Sequence, residues 1–282
     1  MANPSASFER QITAVVSVWL VFNLTVVALV ETDDRLTDPR RLRLAKTARL
    51  FEEHACSRGA TGSDVPHWRY RLHVPRGRSS ERLPVVLYLH GSGERGDDNI
   101  VQLGGLPEYL ARRVTQRRFP CLVVVPQCPA ETFWTSSIRQ RRSQSGDDLP
   151  MVMRILDEVL ARADADPSRV YLIGYSMGAY GAWELAIQYP QRFAAVVSVA
   201  GGGDPVRVGA LKGVPVWAVH GADDKGVPPK ESREMIAALR AAGGSPMYSE
   251  LKGVGHAAVG PGLIESSEVL VWMFDHRRPD GD

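Results

Sequence analysis

The sequence predicts an α/β domain built on a mostly parallel sheet with helices on both faces. Short apolar, β-branched runs alternate along the chain with segments of helical periodicity, the pattern that right-handed crossovers turn into a parallel sheet. At least four of those runs, PVVLYLH and CLVVVP among them, are apolar without interruption, as strands covered on both faces are. The stretch Val170 to Gly181, VYLIGYSMGAYG, reads as a strand, a tight turn and a helix, with Ser176 at the turn.

A chain of 282 residues with 44% hydrophobic composition can bury a full core, which favours one large domain over two small ones. The 34 basic residues are matched by 32 acidic ones, a net charge of +2, and they are scattered, so no nucleic-acid partner is expected. Cys56, Cys121 and Cys128 form no C-x-x-C pair and cannot all pair within one chain. Free thiols are expected, with a Cys121 to Cys128 disulfide as the alternative. No zinc-type ligand cluster is visible.

Residues 1–30 form an N-terminal hydrophobic segment, uncharged from Ile12 to Val30, which is about the length that crosses a bilayer. A cleaved signal peptide, an uncleaved membrane anchor and a buried N-terminal helix all stay open, because Glu9 opposes Arg10 and no clear cleavage site precedes Val30. Either of the first two locates the protein in the cell envelope or outside the cell, with membrane association through residues 12–30 if they are retained. Residues 31–64 read as a connector carrying one short helix over Pro39 to His54, and residues 65–278 as the compact domain. Within it, WRYRLHV, PVVLYLH, CLVVVP, VYLIGY, AAVVSVA, VPVWAVH and MYSELKG are the expected strands. Helices are expected over Gly105 to Arg118, Asp147 to Ala165, Met177 to Tyr189, Pro229 to Ala242 and Leu263 to His276.

A serine hydroxyl is a poor nucleophile at neutral pH and needs a histidine to take its proton and a carboxylate to orient that histidine. In open α/β sheets reactive groups gather at the carboxyl ends of strands, which restricts the search to the loops after them. Asp224, in GADDKGVP after VPVWAVH, is the preferred acid, with Asp223 and Asp204 as alternatives. His256, in GVGHAAV after the last strand, occupies the place that the chain order Ser, Asp, His demands. His90 and His220 precede glycine at strand ends and read as hydrogen-bonded structural histidines beneath the site. An oxyanion needs donors as well. The Met177 amide, just after the nucleophile at a helix start, is one; the Ser92 amide in HGSGERGDDN is the other, with Gly93 next. That loop lacks both the Lys-Ser/Thr ending of a P-loop and the G-x-G-x-x-G opening onto a helix.

Taken together, LHGSGERGDDN, VVVPQCP, Trp134, YLIGYSMGAYGAWELA, AGGGDP, HGADDKGVP and GVGH resemble the α/β-hydrolase esterases known as predicted peptidases, near the dienelactone-hydrolase and prolyl-oligopeptidase branches. The resemblance spans roughly Trp68 to His276. It implies an α/β-hydrolase fold, a triad of Ser176, Asp224 and His256, and oxyanion donors at Ser92 and Met177. Ala179 departs from the second glycine common in such elbows, and the loop after His256 lacks the aromatic residue often seen there.

The short connection between Ala200 and Val214 leaves no room for a large cap domain. The one long irregular segment, Pro126 to Gly146, offers Phe133 and Trp134 as walls for a substrate, and Gly93, Trp134 and Tyr175 are the expected substrate contacts. The reading that follows is a serine esterase acting through an acyl-enzyme on short-chain or aromatic acid esters, small or polymer-linked, with no metal or organic cofactor. A serine peptidase of prolyl-oligopeptidase type is the alternative, and a non-catalytic binding module the more distant one. The oligomeric state stays open.

Overall fold

The computed structural model describes residues 39–56, 68–77, 81–135, 148–257, 259–260 and 267–279. The Ile12 to Val30 segment and the part of the Pro126 to Gly146 segment beyond Thr135 lie outside them. Among the described residues no helix is long and apolar enough to cross a membrane. Residues 1–45 and 46–282 form two units. Of the first, the described part is the start of helix α1 (Pro39–Ala48), which opens on a proline as helices tolerate at their first turn.

The second unit holds one eight-stranded sheet in the order β1-β2-β4-β3-β5-β6-β7-β8. Its strands are β1 (Glu52–Cys56), β2 (Trp68–His73), β3 (Leu83–Leu89), β4 (Leu122–Pro126), β5 (Ala165–Tyr175), β6 (Ala195–Val199), β7 (Val216–Gly221) and β8 (Met247–Leu251). From β4 to β8 the neighbours are parallel, while β2 runs antiparallel to both β1 and β4. Every residue of β3, β4, β6 and β7 is buried, as their uninterrupted apolar runs require.

Alternate residues of the central strands feed two cores. Val85, Leu87, Leu89, Val170 and Leu172 pack with α4 (Leu149–Leu160), α5 (Met177–Gln188) and α6 (Lys230–Ala241). Val86, Tyr88, Tyr171 and Ile173 pack with α2 (Leu106–Leu110) and α7 (Glu268–Phe274). Helices therefore cover both faces, and among the described residues no large cap interrupts the run from β6 to β7. The three cysteines are free and buried.

Three expectations are corrected. The expected Pro39 to His54 helix stops at Ala48, and Glu52–Cys56 is an edge strand of the sheet, upstream of the expected domain start at residue 65. Tertiary contacts override the helical preference of EEHAC: Glu53 pairs with Arg69 and Arg71 at 3.0 and 3.1 Å, and His54 stacks on Tyr70. The single helix expected over Gly105 to Arg118 is broken into α2 and α3 (Arg113–Arg118), because Arg112 is extended and the Gln116 side-chain Nε2 donates to the Leu110 carbonyl at 2.9 Å. Finally, β5 begins at Ala165, which was expected to end a helix; the Leu83 amide draws that segment into the sheet by donating to the Asp164 carbonyl at 2.7 Å.

Candidate active site

Ser176 follows β5 directly, at the centre of the sheet, with φ 53° and ψ −117°. A non-glycine residue in that region stores strain of about 1–3 kcal/mol and persists only where its surroundings impose it. Here the Ser176 amide donates to the Val199 carbonyl of β6 at 2.8 Å, and α5 starts at the next residue. The flanking glycines are required by contact. A Cβ on Gly174 would lie 2.1 Å from the Gly178 oxygen, and one on Gly178 would lie 1.9 Å from the Leu89 oxygen of β3. Ala179 is accommodated because Gly201 faces it without a side chain: a Cβ on Gly201 would lie 2.3 Å from the Ala179 methyl. Gly178→Ala is therefore expected to force α5 off the sheet, costing about 3 kcal/mol or more. Thermal unfolding should show a melting temperature lower by at least ~6 °C; an unchanged midpoint would contradict the contact.

The loops after β7 and β8 carry the other two groups and are joined to each other. The Asp223 amide donates to the Val254 carbonyl at 3.0 Å, and a Cβ on Gly221 would lie 2.2 Å from the Val254 oxygen. Gly253, with φ 75°, turns the chain so that His256 comes back over the end of the sheet. His256 Nε2 lies 2.9 Å from Ser176 Oγ, and His256 Nδ1 lies 2.6 Å from Asp224 Oδ2. The Asp224 side chain is fully buried, and its Oδ1 accepts the Gly226 and Val227 amides, each at 2.8 Å. Burial alone would raise its carboxyl pKa; the hydrogen bond from His256 and those from the two amides outweigh burial and hold it below the ordinary carboxylate value. Asp224 thus stays an ionised acceptor, which fixes the hydrogen of His256 on Nδ1 and leaves Nε2 able to accept from Ser176. The two alternative acids do not share this position. Asp223 is exposed, and Asp204 accepts the Val206 amide within its own turn.

Met177 and Ser92 each open a helical turn, α5 and the 3-10 turn Ser92–Glu94, so neither amide has an intrahelical acceptor. The direction of the Ser92 amide is set by His90. Its Nε2 accepts the Cys128 amide at 3.0 Å, so its hydrogen is on Nδ1 and donates to the Gly91 carbonyl at 2.7 Å. In a trans peptide the following N–H points opposite to that carbonyl, so the Ser92 amide is directed away from the buried ring and towards the exposed side of the loop.

Burial lowers the His90 pKa from 6.5 to about 4. An unfolded histidine binds its proton more readily than this one, so the neutral ring contributes stability that is fully present above pH ~6.5 and is lost as pH falls towards 4, by about 3 kcal/mol in all. His90→Leu should flatten that part of the stability curve. Denaturant unfolding of both proteins at pH 7 and at pH 4.5 checks it, and parallel curves would refute it.

The expected substrate contacts divide. Gly93 is exposed, with open space where a Cβ would stand. Trp134 is corrected: it is fully buried, its indole N–H donates to the His90 carbonyl at 2.9 Å, and its ring packs on His90 and Trp68. It anchors the loop after β4 beneath the Ser92 loop and does not wall a substrate. Its neighbour Phe133 stays partly exposed under the Arg95 guanidinium. Tyr175 faces inward: its hydroxyl donates to the His256 carbonyl at 3.0 Å and its ring backs Gly91, so it braces both loops. The residues that the sequence reading missed are Gly226, Val227 and Tyr175 as supports; only the spacing of Gly226 and Val227 directly after Asp224 signalled any of them. Among the described residues no group of three or more His, Cys, Asp or Glu could hold a metal ion.

A mostly parallel sheet with a strained serine after a central strand, and an acid and a histidine after the next strands, is the architecture of the α/β-hydrolases, and the chain has that fold. Residues 68–204 match the family model Esterase PHB depolymerase. Over 161 residues the chain is 29% identical to a protein of Nocardia uniformis subsp. tsuyamanensis named as an esterase, NocK, covering 55% of this chain and 44% of that protein. Among solved structures it resembles a thermostable esterase, with 31% identity, a TM-score of 0.75, and 83% of this chain and 64% of that one covered. It also shares its fold with the acylaminoacyl peptidase of Pyrococcus horikoshii, at 15% identity and a TM-score of 0.60, over 83% of this chain and 43% of that one. These likenesses relate the chain to α/β-hydrolase esterases. It spans less than two thirds of the length of both esterase relatives, 44% of one and 64% of the other.

Proposed function

We propose that the protein is a serine esterase that cleaves carboxylic esters through an acyl-enzyme. The observation that carries this reading is the continuous hydrogen-bonded series Ser176 Oγ, His256, Asp224, assembled at a strained elbow. Ser176 Oγ attacks the ester carbonyl while His256 Nε2 takes its proton, and Asp224 stabilises the imidazolium that forms. The Ser92 and Met177 amides receive the negative oxygen of the tetrahedral intermediate. His256 then returns the proton to the departing alcohol, leaving the acyl group on Ser176. In the second half a water gives its proton to His256 and attacks the acyl carbon, and His256 returns that proton to Ser176 Oγ as the bond to the acyl group breaks and the acid leaves. Asp224 needs no proton of its own in either half, in keeping with its lowered pKa.

Short-chain or aromatic acyl groups, on small or polymer-linked esters, are the proposed substrates. The match to the family model described as Esterase PHB depolymerase supports the polymer-linked class. With Trp134 buried, the partly exposed Phe133 and the open side of Gly93 are the surfaces left to meet the acyl or alcohol part. A serine peptidase would use the same three side chains, so substrates must discriminate. Turnover of p-nitrophenyl acetate and butyrate, with none of a proline-type peptide anilide, is the expected result. Peptide turnover without ester turnover would overturn the reading, and failure of a serine-directed fluorophosphonate to label the protein would overturn the mechanism.

A further inference from the structure

Asp224 carries a second imidazole. His220 Nε2 lies 3.3 Å from Asp224 Oδ2, the oxygen that already meets His256 Nδ1, and both side chains are completely buried. The same nitrogen is 3.0 Å from the Val227 carbonyl. An ionised carboxylate and a carbonyl can only accept, so Nε2 bears the hydrogen, which it donates to the Val227 carbonyl while facing the carboxylate. The ring cannot turn away, because its Nδ1 accepts the hydroxyl hydrogen of Ser232 Oγ on α6 at 2.7 Å. His220 is the last residue but one of β7 and Asp224 sits four residues on in the following loop, so the ring ties the rigid end of the strand to both the acid and the loop that holds it.

We infer that His220 is a positioning residue for the proposed reaction, its Nε2–H held on the Val227 carbonyl and facing Asp224 Oδ2, so aiming the carboxylate at His256. The inference rests on the triad reading above. Asp224 Oδ1 is fixed by two backbone amides, but Oδ2 would otherwise have His256 as its one partner here, on a loop beyond β8. With His220 in place the carboxylate plane is set from β7 whatever the His256 loop does. This second contact acts on the chemical step and leaves substrate binding alone.

Two polar replacements separate this role from a purely structural one. In His220→Gln the side-chain amide reaches the place of Nε2 and keeps a donor between the Val227 carbonyl and Asp224. In His220→Asn it reaches only the place of Nδ1 and keeps the Ser232 contact. A hydrogen bond to a buried charge corresponds to about 10- to 100-fold in rate. On p-nitrophenyl butyrate, His220→Asn should lower kcat by that factor with KM within about 2-fold, and His220→Gln should recover to within about 5-fold of the wild type. In an Asp224→Asn background the Asn replacement should cost less than about 2-fold, since the group it acts on is already gone. Equal losses in Gln and Asn, a loss carried by KM, or the same loss in both backgrounds would overturn the inference. Fluorophosphonate labelling of the wild type and turnover by Ser176→Ala are read alongside. If labelling is absent or Ser176→Ala is active, the triad reading fails; if both behave as expected and His220→Asn matches the wild type, this inference alone fails.

Discussion

Ser176→Ala is expected to lower kcat for p-nitrophenyl esters by about 10⁶-fold, the scale of loss when the nucleophile of a serine triad is removed, since the remaining groups have nothing to act through. The residual rate over water comes from the two amides and from binding, which the substitution leaves in place. Alanine takes the same strained backbone as serine, with φ 53°, and the contacts that impose that conformation lie in Val199, Gly174 and Gly178 rather than in the hydroxyl. The melting temperature should therefore stay within a degree or two of the wild type, as surface-like changes with no packing consequence do. The experiment compares purified wild type and variant in rate, thermal midpoint and fluorophosphonate labelling. Retained turnover in a folded variant would remove Ser176 from the mechanism and with it the proposed function.

The elbow was legible because its constraints are local. Gly174 and Gly178 are forced by atoms within one strand, one turn and one helix, so their spacing around Ser176 survives in the sequence as a pattern. The buried strands were legible for a similar reason: covered on both faces, β3, β4, β6 and β7 have no place for a charge along most of their length. What escaped depends on partners distant in sequence. β1 is charged and exposed and is a strand because β2 pairs with it. The break between α2 and α3 follows from where one side chain, Gln116, finds its acceptors. Trp134 shows the limit most plainly. A tryptophan in a long loop beside a site suits a substrate wall and an anchor equally well, and the difference is made by the His90 carbonyl, 44 residues upstream, which accepts its N–H. His220 was legible as a structural histidine, but its aim at Asp224 required the loop to be folded.

Asp224→Asn is expected to cost about 10⁴-fold in kcat by reversing a tautomer. The Gly226 and Val227 amides both donate to Oδ1, so they will hold the asparagine oxygen in that place. Its NH₂ then stands where Oδ2 was, 2.6 Å from His256 Nδ1, and donates to a nitrogen that now has to be an accepting lone pair. The ring hydrogen moves to Nε2, facing Ser176 Oγ, where it cannot receive the serine proton. KM should change by no more than a few-fold, because nothing in the exposed part of the site moves.

The neighbouring acids give the control: Asp204→Asn should behave as wild type, since Asp204 accepts the Val206 amide within its own turn, and a worse loss there would show that the acid is misassigned. Stability supplies a second, independent reading. Asp224 has a folded pKa below its unfolded value, so its contribution is present above about pH 4 and is lost as pH falls through the folded value. Asp224→Asn should therefore lower the melting temperature at pH 7, and the gap to the wild type should narrow in strong acid. A gap that stays constant with pH would mean that the carboxylate is not held ionised by His256 and the two amides, and the tautomer argument would fall with it.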